Sequence, residues 1–100
     1  MTLDELTAAD FEPHLGSTFT IQYADAEALD VSLVSVAPMS YDPPPGRRHG
    51  FSLTFQSTLT DRYLPQRVYT ITHPALGTLE LFIVPHQSNQ TGFTYEVIFN

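Results

Sequence analysis

The chain contains no cysteine and no lysine. Without cysteine there is no disulfide, no thiolate nucleophile and no zinc-finger site, although the absence names no compartment. Without lysine, the positive side chains are four arginines against eleven acids, a formal net charge of −7. Such a surface repels phosphate, so nucleic acid and anionic membrane are poor partners. No apolar run approaches the ~18 residues that cross a bilayer as a helix. The first residues, MTLDELTAADFEP, carry acids where a signal peptide needs a basic stretch and then an apolar one. The location expected by default is therefore the cytoplasm, with incorporation into an exported assembly left open.

Phosphate loops and nucleophile elbows are also missing. There is no glycine-rich loop and no G-x-S-x-G, and no serine has a context that would activate it. His73 and His86 are the only histidines on neighbouring strands, yet a hairpin would set them roughly 25 Å apart, at ~3.4 Å per strand residue. No carboxylate stands at ligand spacing to His14 or His49. Glu80 and Glu96 read as solvent-facing acids on the outside of a sheet rather than as an acid–base pair. No catalytic residue, cofactor site or metal site is expected.

What the chain does have is the material of a β domain. One hundred residues, 42% of them hydrophobic, make one domain with one core. Only 15% are charged, leaving the surface to Thr, Ser, Gln, Pro and Tyr. Residues 1–16 read as two short helical turns in series. Thr2 with Glu5, and Thr7 with Asp10, have capping-box spacing, and Met1 with Leu6, then Leu6 with Phe11, have staple spacing. Pro13 and Gly16 are expected to end the helical stretch.

From residue 17 to 100 the apolar period is two. Phe19, Ile21 and Tyr23 alternate with polar residues. Leu29, Val31 and Leu33 keep one phase, and Val34 and Val36 the other, which implies a bulge near Leu33 and Val34. Further strands are expected at Phe51–Phe55, Val68–Thr72 and Leu79–Val84, and from Phe93 to the C-terminus. In HPALGTLELFIVP (73–85), Pro74 suits the start of a turn and Gly77 the position that needs positive φ. A bulge at Gly77 groups Tyr69 and Ile71 with Leu79, Leu81 and Ile83, whereas a strict four-residue loop sets Tyr69 against Phe82. The bulge is the better fit, because it leaves Thr70, Thr72 and Glu80 on the other face. The expected fold is mainly β, about six antiparallel strands in a small barrel or sandwich, with the N-terminal helical segment packed on it. Because Leu79–Val84 is apolar on both sides, Leu6 and Phe11 are expected to cover Phe82 or Val84.

The remaining candidates lie on two long connections, residues 38–50 and 57–66. Arg47, Arg48 and His49 concentrate half the arginines on a proline-stiffened loop. They suit either a carboxylate-bearing partner or an internal role, pairing with Asp42 or Asp61. Tyr41 and Tyr63 would add aromatic contact area if the two loops meet at one end of the barrel. Partner-binding candidates are thus Arg47, Arg48, His49, Tyr41 and Tyr63.

LTAADFEPHLG (6–16), FSLTF (51–55), YTITHPALGTLELFIVP (69–85) and YEVIFN (95–100) together resemble a family of uncharacterised bacterial proteins of about this length. The resemblance spans nearly the whole chain, and H-P-A-L-G followed by L-E-L-F-x-V-P is its most specific part. The family has no assigned activity, so it supplies no catalytic residues. Its genes often lie near those for phage-tail-collar-like proteins, which implies an accessory role in a tail-like or fibre-like assembly. The function expected is therefore a non-enzymatic protein–protein interaction or assembly module, its partner a tail-like or fibre component or a second copy. The alternative is a small barrel that binds a small apolar ligand or glycan.

Overall fold

A computed structural model describes residues 3–100. The proposed Thr2 cap and Met1 staple lie outside the described residues. Six strands follow the N-terminal segment: β1 (Thr18–Ala24), β2 (Glu27–Pro38), β3 (Phe51–Gln56), β4 (Arg67–His73), β5 (Gly77–Ser88) and β6 (Phe93–Phe99). They close into one antiparallel barrel in the order β1-β2-β3-β6-β5-β4, so barrel rather than sandwich is the outcome.

Alternation does most of the sorting. Phe19, Ile21, Leu33, Phe51, Leu53, Phe55, Ile71, Ile83 and Tyr95 point inward and are buried. The bulge expected in β2 is present: Leu33 pairs with Phe55 and Ser35 with Thr54, so Val34 has no partner and its side chain turns outward. At the β4–β5 hairpin, Tyr69 faces Leu81 and His73 faces Gly77, with Gly77 at φ +80°. The bulged reading holds there, because the glycine takes the left-handed conformation and shifts the register by one.

The N-terminal segment is a 3₁₀ turn (Leu3–Glu5), a short helix α1 (Ala8–Phe11) and a second 3₁₀ turn (Glu12–His14). The Asp10 carboxylate accepts the Thr7 backbone N–H at 2.8 Å and the Thr7 hydroxyl at 3.1 Å. Pro13 does not stop the helical path but sits in the first turn of the last 3₁₀ piece, where no N–H is missed. Gly16, at φ +86°, makes the exit.

The expected docking of this segment on β5 is not what forms. Phe82 is 52% exposed, while Phe11 lies 5.8 Å from the Phe51 ring and 5.6 Å from the Phe99 ring. Leu6 and Phe11 therefore plug one end of the barrel. Closure explains the difference. A barrel fills its interior with its own inward side chains, and at its open ends that core would meet water unless another segment covers it.

The two long connections leave opposite ends. Pro38, Phe51 and Phe99 pair beside the helical plug, and Gln56 and Thr94 pair toward the other end. There the 57–66 connection closes the barrel. Leu64 is buried and its N–H donates to the Tyr95 hydroxyl at 2.9 Å, and the Ser57 and Phe93 backbones bond across to complete the lid. Burial pushes the Tyr95 phenol above its ordinary value.

Candidate functional site

The five candidate residues do not form one surface. β3 joins the two loops directly, so Tyr41 and Tyr63 are held about a strand length apart, ~3.4 Å for each residue of β3. Tyr63 packs against Phe93, ring centres 5.4 Å apart, beside a cleft of about 400 Å³ shared with Pro85, His86 and Gln87. Tyr41 and Arg47 are exposed at the helical end.

Arg48 works inside the chain. Its Nε donates to the Asn100 carbonyl at 2.9 Å, and one terminal nitrogen donates to the Leu3 and Leu6 carbonyls at 2.6 Å each. The guanidinium carbon also sits 5.3 Å from the Phe99 ring and 5.7 Å from the Phe51 ring. One side chain thus fastens the end of β6, the N-terminal turn and the aromatic plug. The internal role has carbonyl partners, not Asp42 or Asp61. His49 closes the base of its loop, its Nε2 2.6 Å from the Met39 carbonyl, while the Met39 N–H donates to the Gly50 carbonyl at 2.8 Å.

His73 is buried, 4.4 Å from the Phe19 ring and 4.5 Å from the His14 ring. The Ala75 N–H donates to its Nδ1 at 3.0 Å, so that nitrogen carries no proton. Nε2–H then donates to the Ser17 hydroxyl at 3.0 Å, and Ser17 donates onward to the His14 carbonyl at 2.7 Å. A catalytic serine needs an imidazole that accepts its proton, and this tautomer donates instead. The cluster fixes the hairpin to the segment before β1.

Burial, then the neighbouring His14, holds the His73 imidazole below its ordinary pKa. The folded chain therefore binds fewer protons than the unfolded chain once pH drops below the unfolded value, ~6.5. Stability should fall from about that pH downward and level off below the lower, folded value. Melting curves of the wild type and His73→Gln from pH 7.5 to 4.5 test this. The two should diverge in slope below pH ~6.5, and parallel curves would exclude His73 as the source.

Among the described residues, no three histidines, cysteines or acids are grouped to hold a metal. Nor is any helix long and apolar enough to cross a membrane. Glu80 stands opposite Thr70 on β4, and Glu96 opposite Val84 and Thr54, so the two acids are not cross-strand partners.

The outer wall carries a feature that alternation alone did not flag. Val68 and Phe82 are directly paired across β4 and β5, and both are more than half exposed, at 58% and 52%. Ile98 on β6 is 54% exposed and lines the same groove as Phe82. Three neighbouring strands thus present an apolar row to solvent.

These features define a small six-stranded antiparallel barrel with a helical plug and an apolar stripe on its outer wall. The chain belongs to the family described as a domain of unknown function, DUF6916, whose profile matches residues 6–99. No curated protein and no solved structure gives a significant match.

Proposed function

We propose that this protein is a non-enzymatic interaction or assembly module that docks a partner protein on its outer wall. The observation that carries the reading is the exposed Val68–Phe82–Ile98 row. Neighbouring apolar side chains on adjacent strands form a contiguous patch, and such patches mark interaction sites more often than scattered ones do. Tyr41 and Arg47, exposed at the helical end, extend the candidate surface with residue types favoured at interfaces. An accessory place in a phage-tail-like or fibre-like assembly fits this reading, with the protein made in the cytoplasm and carried into the assembly.

The alternative of an apolar ligand held inside the barrel gains no support, because the lumen is filled by Phe19, Phe55, Leu33, Ile71 and Tyr95. A glycan reading is favoured by one observation, the Tyr63–Phe93 cleft with His86 and Gln87 at its edge.

Replacing Phe82 and Ile98 together with serine should leave the melting temperature nearly unchanged, since both side chains already face water. Capture of tail or fibre components from the native host should weaken by about 1–3 kcal/mol per anchor. Undiminished capture by the double variant would remove the outer wall from the interface.

A further inference from the structure

The apolar row on the outer wall is bracketed by charge. Along β5 the outward positions run Glu80, Phe82, Val84, and Glu96 on β6 is paired with Val84. Phe82 thus stands between two carboxylates, Glu80 exposed and Glu96 half-buried. Their backbones are roughly 14 Å apart, counting four strand residues at ~3.4 Å each and one strand spacing of ~4.8 Å. Thr70, Ser52 and Thr54, opposite Glu80, Ile98 and Glu96, are neutral. Neither carboxylate has a hydrogen-bond or ion-pair partner among the described residues. Arg67, at the start of β4, donates instead to the Tyr23 carbonyl at 3.1 Å and lies over the Tyr69 ring. Arg48 gives its donors to three carbonyls. Among the described residues, the other large apolar side chain exposed on a strand is Val34, alone at the β2 bulge.

A carboxylate covered by an apolar partner loses its hydration and gains nothing in return. Whatever covers Phe82 must therefore meet these two acids with positive charge. A second copy docked wall to wall would bring its own carboxylates to the same place, because a two-fold contact sets like patches together. The spacing selects further. In an extended chain alternate side chains share one face, ~6.8 Å apart, so positions i and i+4 bracket i+2 over roughly the same 14 Å.

We infer that the outer wall receives an extended, basic segment of a partner protein, with an apolar residue at its centre and a lysine or arginine two positions away on each side. The central side chain lies on the Val68–Phe82–Ile98 row, and the two cations reach Glu80 and Glu96. The segment covers the face of the sheet and adds no strand to the closed barrel. This deepens the interaction reading above and rests on it.

Amide chemical shifts of the full chain, followed during peptide titration, test the inference. A peptide of about seven residues, with a lysine two positions either side of one phenylalanine, should shift amides over 80–84 and 96–98. It should bind about tenfold more tightly than a peptide of the same composition with its lysines adjacent. A version with glutamate in place of lysine should not bind. In the variant carrying Glu80→Lys and Glu96→Lys that preference should reverse, although the chain as a whole stays acidic. Equal binding of the two lysine peptides would reduce the effect to net charge and overturn the inference, while leaving the apolar row and its serine test standing. Shifts in the same amides that grow with protein concentration alone would assign the wall to a second copy and equally overturn it. A wall whose amides ignore every peptide would reject the basic segment, and capture by the Phe82→Ser, Ile98→Ser chain would still decide the broader reading.

Discussion

Phe11→Ala should be among the most damaging single substitutions in this chain, costing about 3–5 kcal/mol. The side chain is fully buried, and it closes the barrel end by packing on Phe51 and Phe99, themselves stacked 4.5 Å apart. Alanine would leave a void against the Phe51 and Phe99 rings that the closed strands cannot collapse to fill. For a domain of this size that is a fall in melting temperature of ~15 °C or more. Removing residues 1–15 should have the same sign and at least the same size, because Leu6 leaves with Phe11. Thermal unfolding followed by near-ultraviolet circular dichroism checks both. An alanine variant melting within a few degrees of wild type would mean that the plug contributes little to the barrel.

Arg48→Ala should cost about 2–3 kcal/mol, while Arg47→Ala, one residue away, should be nearly silent. The contrast follows from partners, not from exposure alone. Arg48 gives charged hydrogen bonds to the carbonyls of Leu3, Leu6 and Asn100, whereas Arg47 bonds through its own backbone N–H, to the Pro44 carbonyl at 3.1 Å. Water can reach part of this site, which keeps the cost below the sum of three buried charged bonds. Arg48→Lys should rescue little, because an ammonium lacks the planar fork and the flat face that lies on Phe99. Urea midpoints at unchanged m-value are the measurement. Equal, small effects at both arginines would return Arg48 to the set of residues free for a partner.

Arginine clustering was visible in the sequence, but its meaning was not. Composition shows that two of four arginines share a loop, and both an internal and an external role fit that fact. The partners that decide it stand 42 to 52 residues away. Tyr41 and Tyr63 teach a different lesson. One strand, Phe51–Gln56, separates their loops, and a single strand carries the chain from one end of a barrel to the other. Their separation was therefore readable in advance from the order of elements. His73 could not be placed that way. Its burial depends on Ser17, 56 residues earlier, and on the Phe19 ring.

The sequence by itself determined the six strands, the β2 bulge, the hairpin register at Gly77 and the membership of Phe19, Phe55, Leu81 and Val97 in the core. Each of these depends on side-chain alternation or on the φ range of one residue, and both act within a few positions of the chain. Tertiary structure decided that the sheet closes on itself through β1 with β4 and β3 with β6. It also decided that Leu6 and Phe11 plug an end. Closure brings together residues far apart in sequence and removes the sheet's outer face from the search for a cover. Phe82, expected under a cover, was thereby left in solvent on the wall beside Val68 and Ile98.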